Sequence, residues 1–202
     1  MTEHKKIVLA SNNEGKVREI NAMLSGHHLQ IISQSKFSVP EIEETGLTFV
    51  ENAILKARNA ARHTGLPAIA DDSGIEIPAL NGQPGIYSAR YAGVGASDED
   101  NLYKLIGQIK MLSDEKRQAR FICLMVFLRH AEDPVPLIAE GIWDGIAVTE
   151  PKGKNGFGYD PMFYVPTHQC MSAELPPEIK NSISHRGQAL QKLIAQLNAI
   201  YP

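Results

Sequence analysis

The sequence predicts a mixed α/β fold: a β-sheet with helices packed on it, in two lobes with a cleft between them. Three observations carry this. The chain opens on an apolar run, a polar turn and a segment with helical apolar spacing, which is a strand-loop-helix unit. A second helical pattern, from Thr48, leads through Gly65 and Pro67 into another apolar run, residues 66–70. Two long apolar runs, residues 120–129 and 137–148, flank a turn at Asp133-Pro134, so an antiparallel hairpin joins the sheet.

The elements follow in order. Residues 7–10, Ile-Val-Leu-Ala, form a continuous apolar run, as expected of a buried strand. Residues 11–15 are a polar turn. A helix fits residues 16–24, with Val17, Ile20 and Leu24 on one face and Gly26 as its stop. Residues 29–33 read as a second strand, and residues 40–46 as an acidic loop holding Glu41, Glu43 and Glu44. Thr48 and Glu51 have capping-box spacing, and the helix behind them lines up Val50, Ala53, Ile54, Ala57 and Ala61. A strand at 68–70 delivers Asp71-Asp72-Ser73-Gly74, after which residues 75–77 alternate like a half-buried strand. Residues 81–95, rich in Gly and carrying Pro84, read as a long ordered loop. Ser97 caps a helix that turns Leu102, Leu105, Ile106 and Ile109 inward. After the hairpin come a charged loop at 150–155 and a last strand at 163–165. Ala189, Leu190, Leu193, Ile194 and Leu197 mark a C-terminal amphipathic helix. No repeat, low-complexity tract or linker interrupts residues 1–202, which read as a single domain.

Bulk properties exclude several classes. Of 202 residues, 43% are hydrophobic and 21% charged, which excludes a disordered chain. The net charge of -3 provides no global field for a nucleic acid polymer, although a local basic pocket for a small anion is compatible with it. The cysteines, Cys123 and Cys170, make no disulfide framework, and Cys123 lies inside an apolar run, so a reducing compartment is expected. The run after the first six residues is too short for a signal-peptide core, and no stretch approaches membrane-spanning length. A cytoplasmic protein with no membrane partner is expected.

Four polar clusters interrupt the apolar pattern. In Asp71-Asp72, two like charges follow a buried strand, an arrangement that is costly unless cations or donors compensate. Holding a divalent metal and activating a water are the uses that fit, against the plain alternative of an Asp-Ser-Gly turn. Ser11-Asn12-Asn13-Glu14-Gly15-Lys16 lies between a strand and a helix, where backbone N–H groups attract anions. It is not a P-loop: Ala10 stands where Gly is required and Val17 where Ser or Thr is required. Asn52 and Lys56, four apart, are expected on the helix face opposite the apolar stripe, and with the acidic loop they read on their own as solvated surface. The last cluster has two parts. Gly156-Phe157-Gly158-Tyr159-Asp160-Pro161 interleaves aromatics with glycines, as a base-stacking turn or simply a tight turn with core aromatics. Lys180 precedes Ser184-His185-Arg186-Gly187, which places basic residues at a helix start against its dipole.

Together these pieces resemble the inosine triphosphate pyrophosphatase family, the XTP/dITP diphosphatases. The resemblance is carried, in family order, by Ser11-x-Asn13-x-x-Lys16-x-x-Glu19, by residues 44–57 (Glu44-Thr45-Gly46-x-Thr48-Phe49-x-Glu51-Asn52-Ala53-x-x-Lys56-Ala57), and by Ala70-Asp71-Asp72-Ser73-Gly74. Pro84-Gly85-Ile86-Tyr87-Ser88-Ala89-Arg90, residues 156–161 and residues 184–187 complete it. It implies an elongated mixed α/β fold, a homodimer, and Mg²⁺-dependent hydrolysis of ITP, dITP and XTP to the monophosphate and pyrophosphate. By motif, it implies Asp72 as catalytic acid-base residue and metal ligand, with Glu43 or Glu44 joining the metal. It further implies that Ser11, Asn12, Asn13, Glu14, Gly15, Lys16 and Lys56 contact the triphosphate. Ser73, Phe157, Gly158, Tyr159, Asp160, Lys180, His185 and Arg186 would bind the nucleotide. The chain departs from the family at Asn12 and Asn155, where many members have Gly, and at Gln169-Cys170-Met171, which lacks a frequent Gly-Lys. The rival readings are a Maf-like nucleotide pyrophosphatase of other base specificity and a non-catalytic nucleotide-binding module.

Overall fold

The computed structural model describes residues 5–23 and 29–200, apart from the side chain of Glu14. The expected inward Leu24 and the helix stop at Gly26 lie outside the described residues. The expected α/β class is met. Strands β1 (Lys5–Leu9), β2 (Leu29–Ser33), β3 (Ala68–Ile77), β4 (Gln83–Pro84), β5 (Gln118–Leu128), β6 (Leu137–Ala147), β7 (Phe163–Val165) and β8 (Cys170–Met171) form one sheet, in the order β2-β1-β3-β5-β6-β7-β8 with β4 on β3. The sheet is mixed: β1 runs parallel to β2 and β3, whereas β3–β4, β6–β7 and β7–β8 are antiparallel. Helices α1 (Glu14–Met23), α2 (Phe49–Thr64), α3 (Asp98–Ile109), α4 (Pro177–Ile183) and α5 (His185–Ile200) complete the fold.

The chain divides into two compact units. The first holds Met1–Asp72, Cys123–Gly141 and Gln188–Pro202, and the second Ser73–Ile122 and Ile142–Gly187. In the first unit the strand pleat sorts β3 side chains onto two cores. Ala68 and Ala70 pack with Ala53, Ala57, Ala60 and Ala61 of α2. Ile69 packs with Ile20 of α1 and with Leu190 and Leu193 of α5. The small alanines let α2 lie close to the sheet. The helix is bounded as the sequence indicates: Thr48 and Glu51 form the reciprocal capping box, and Gly65 ends it in a left-handed conformation.

The second unit is built on Ile75 and Ile77 of β3, with Leu105 and Ile109 of α3, Phe121, Trp143 and Phe163. Phe121 and Phe163 pack with ring centroids 4.6 Å apart. Three expectations need correcting here. The Asp-Asp-Ser-Gly segment is no turn: β3 runs unbroken from Ala68 to Ile77, so the acidic pair sits inside a strand rather than at its end. Its polar side chains find partners, so the turn preferences of Asp, Ser and Gly are overridden. Second, the loop at 81–95 is more structured than expected, with β4 and a 3-10 stretch over Gly85–Arg90. Third, α4 was not expected, although Pro177 at its start is a favourable N-terminal helix residue.

The hairpin turn is held by one carboxylate. Asp133, buried, accepts from the backbone N–H of Arg129 at 3.0 Å, from Arg129 Nε at 2.8 Å and from the Val135 N–H at 3.1 Å. The Arg129 hydrogen bonds hold its pKa well below the usual carboxylate range, against the opposing effect of burial. A depressed folded-state pKa contributes stability that is complete above the unfolded value and is lost as pH falls. Asp133→Asn is therefore expected to cost about 1–3 kcal/mol at neutral pH. In urea titrations the gap from wild type should narrow as pH drops below about 4.

Candidate functional site

In the first unit the polar residues converge on β3. The pleat that separates Ala70 from Ile69 also separates the two acids: Asp72 faces α2, and Asp71 faces the opposite side. Lys56, on α2, places its ammonium 2.8 Å from Asp72 Oδ1 and 2.8 Å from Glu44 Oε1. Asn52, one turn earlier, is 0% exposed; its Nδ2 donates to Asp72 Oδ2 at 3.3 Å, and its Oδ1 accepts from the Gly46 N–H at 2.8 Å. Asn52 and Lys56 are thus no solvated face, contrary to expectation. The buried arc of α2 is wider than its apolar stripe, and on that flank carboxylates and amides satisfy one another.

On the other face of the strand, Asp71 Oδ2 lies 2.9 Å from Lys16 Nζ. Lys16 sits in the first turn of α1. Its backbone N–H donates to Asn13 Oδ1 at 3.0 Å, which is N-cap geometry, and the Asn13 N–H in turn donates to Ser11 Oγ at 3.2 Å. Asn12 ties this turn to its surroundings, donating to Glu41 Oε1 at 3.0 Å and accepting from Gln34 Nε2 at 2.9 Å.

Among the described contacts, the acids Glu44, Asp71 and Asp72 lie against the lysines Lys16 and Lys56. Burial pushes Asp72 up, Lys56 and Lys16 pull it back without cancelling the shift, and Glu44 adds to it. Burial alone would lower Lys56, but Asp72, Asp71 and Glu44 raise it overall.

The second unit carries the other cluster. Asp160, buried, accepts from Lys180 Nζ at 2.7 Å, Ser172 Oγ at 2.7 Å and the Phe157 N–H at 2.8 Å. Gly156 has φ +75°, and an added Cβ would meet Asp160 Oδ2 at 2.1 Å, so glycine is required there. The resulting turn presents the Phe157 ring with Lys180 and Arg186 each 5.4 Å from its centroid. Arg186, 2% exposed, donates to Ser73 Oγ at 3.2 Å. His185 is buried with its ring stacked on Phe121, centroids 4.6 Å apart and planes 8° off parallel. Tyr159 is in the core and donates its hydroxyl to the Ser88 carbonyl at 2.7 Å. Ser184 caps α5 by accepting the Gly187 N–H at 3.1 Å.

The Ham1 family profile matches residues 7–196. The chain belongs to the Ham1 family. It is 59% identical over 189 residues to a dITP/XTP pyrophosphatase of Vibrio cholerae, covering 94% of each chain. It is 56% identical over 192 residues to a dITP/XTP pyrophosphatase of Escherichia coli K12, covering 95% of this chain and 98% of that one. Among solved structures it resembles a HAM1 protein from Coxiella burnetii, with TM-score 0.89, 52% identity and coverage of 96% and 99%. It also resembles the Staphylococcus aureus Ham1 protein, with TM-score 0.84 and 42% identity over 96% and 99%.

In this Ham1 chain the sequence-predicted residues fall into two groups. Ser11, Asn12, Asn13, Lys16, Glu44, Lys56 and Asp72 belong to the first unit, Gly15 lies with them in α1, and the Glu14 side chain lies outside the description. Of the two candidate metal glutamates, Glu44 reaches Lys56 while Glu43 is exposed. Ser73, Phe157, Gly158, Tyr159, Asp160, Lys180, His185 and Arg186 belong to the second unit. Sequence reasoning missed Asn52 as a buried partner of Asp72. Ala60, four residues beyond Lys56 and eight beyond Asn52, is fully buried, and that helical line was the available signal. Neither Asn12 nor Asn155 adopts a left-handed backbone, so the absence of glycine there creates no strain. Among the described residues no group of three or more His, Cys, Asp or Glu side chains is placed to hold a metal ion, and no helix is long and apolar enough to cross a membrane.

Proposed function

We propose that this chain is a nucleoside-triphosphate pyrophosphatase acting on dITP, XTP and ITP, yielding the monophosphate and pyrophosphate. The observation that carries the reading is the Asp72 cluster: a buried carboxylate gripped by Lys56 and Asn52, with Lys16 and Glu44 close by. The names of its 56–59% identical relatives point to the same substrates. The first unit's residues take the polyphosphate. Lys16 and Lys56 neutralise phosphate charge and stabilise the leaving pyrophosphate, and backbone N–H groups of the turn at 11–16 receive phosphate oxygens. Asp72 takes a proton from the attacking water. The water oxygen bonds to the α-phosphorus, and the bond from that phosphorus to the bridging oxygen breaks.

The donor set also suits Mg²⁺. Glu44 and Asp72 present hard oxygens that already converge on one cation, the Lys56 ammonium, and Mg²⁺ typically takes one or two carboxylates and completes its shell with phosphates and water. When bound there, Mg²⁺ would supply charge neutralisation and a more acidic water.

Phe157 and Arg186 take the base. Phe157 offers a stacking face, and Arg186 a donor for the 6-oxo group of hypoxanthine or xanthine; adenine, with an amino group there, would leave that donor unpaired. Arg186→Ala should lower the dITP-to-dATP ratio of kcat/KM by about tenfold or more. An unchanged ratio would remove Arg186 from base selection. We also read the protein as one catalytic domain, cytoplasmic and homodimeric, with no nucleic acid polymer or membrane as partner. Sedimentation tests the dimer.

The deciding assay incubates the protein with dITP, XTP, ITP, dATP, dUTP and dTTP, with Mg²⁺ or with EDTA, and identifies the product. Pyrophosphate from the oxo-purines, abolished by EDTA, is expected. Preference for pyrimidines would indicate a Maf-like enzyme, and no turnover a binding module.

A further inference from the structure

Asp71 points to the opposite face of β3 from Asp72 and pairs with a different lysine. It is 1% exposed, on the face of β3 that carries Ile69, whose own neighbours are apolar. A buried carboxylate is expensive, and a packed apolar side chain would hold a strand there at lower cost. Its Oδ2 instead meets Lys16 Nζ at 2.9 Å. Lys16 itself is in an unfavourable place, a cation in the first turn of α1, where the helix dipole opposes it. Each group offsets what is costly in the other.

A lysine that must meet a phosphate carries its charge on a flexible four-carbon stem. Held at one point, it retains donors: an ammonium has three N–H bonds, and one directed at Asp71 leaves two for phosphate oxygens. The backbone of Lys16 is fixed by the Asn13 cap and its ammonium by Asp71, so both ends of the side chain are set before substrate arrives. From this we infer that Asp71 is a positioning residue for the reaction, fixing the Lys16 ammonium for the triphosphate. The inference rests on the phosphate role proposed for Lys16 and deepens it.

The test is a cycle of Asp71→Asn, Lys16→Met and the double variant, each assayed for kcat/KM with dITP and followed by thermal melting. Displacing a contact by about an ångström can cost on the order of a hundredfold, so Asp71→Asn should lose ten- to a hundredfold in kcat/KM. The double variant should match Lys16→Met, because the ammonium that Asp71 holds is already gone. If Asp71→Asn does not fold, the comparison of Lys16→Met with the double variant, which lacks both charges, still decides. Equal values support positioning, and a further loss of tenfold or more in the double variant overturns it. Retention of full kcat/KM by a folded Asp71→Asn also overturns it. A Lys16→Met enzyme with wild-type kcat/KM would instead defeat the phosphate role on which the inference rests.

Discussion

Asp72→Asn is expected to reduce pyrophosphate release from dITP by about a thousandfold or more, with little change in folding. The substitution keeps the shape and an oxygen able to accept from Lys56, so the contact from α2 survives. What is lost is the feature that makes Asp72 a base, an ionised oxygen able to take a proton, and general-base contributions run to about 10²–10⁴-fold. Charge should add to this. Neutralising Asp72 removes one of the negative charges that would attract Mg²⁺ and leaves Lys56 facing Glu44. Single-turnover product release, measured beside a thermal melt, separates the two effects: raising Mg²⁺ should restore part of the loss due to charge and none of the loss due to the base. An Asn variant that turns over at near-wild-type rate with Mg²⁺ binding intact would show that Asp72 is not the base.

Much of this fold is legible in the sequence because its periodic signals are clean. The capping box at Thr48, the inward set Leu102, Leu105, Ile106 and Ile109, and the strand Phe163–Val165 are found where local pattern places them. The misreadings occur where tertiary partners overrule local preference. Asp71-Asp72-Ser73-Gly74 has the composition of a turn, but Lys16, Lys56 and Asn52 reach it from two helices, and no local signal reports partners far away in sequence. Asn52 and Lys56 were misread for the complementary reason: polarity alone does not distinguish a solvated side chain from one buried against a carboxylate. The second-unit cluster shows a third limit. Phe157, Tyr159 and Asp160 are nearly adjacent, but Phe157 is half-exposed under two cations, Tyr159 is core, and Asp160 braces the turn. A motif read as a block hides those separate tasks.

Gly187→Ala should be among the most destabilising substitutions of a single small residue in this chain. A Cβ at position 187 would lie 1.9 Å from the Asn181 carbonyl oxygen and 2.9 Å from its carbon, both backbone atoms of α4. No side-chain rotation relieves that overlap, so the start of α5 must move away from α4. Movement there strains the Ser184 cap, whose hydroxyl accepts the N–H of this same residue. Overpacking against backbone costs about 3 kcal/mol, which for a chain of this size lowers the melting temperature by about 6–12 °C. Gly107 provides the control. It lies in α3 with open space where its Cβ would be, so Gly107→Ala should leave stability unchanged or raise it by up to about 1 kcal/mol. The consequence of Gly187→Ala should also extend to substrate choice, because Arg186 and His185 precede it in the same first turn. Once the Arg186 contact with Ser73 is displaced, discrimination between dITP and dATP should weaken even at temperatures where the variant stays folded. A Gly187→Ala protein that melts with wild type and keeps its base preference would show that α4 and α5 tolerate separation, and that the close approach at Asn181 is not what sets the Arg186 position.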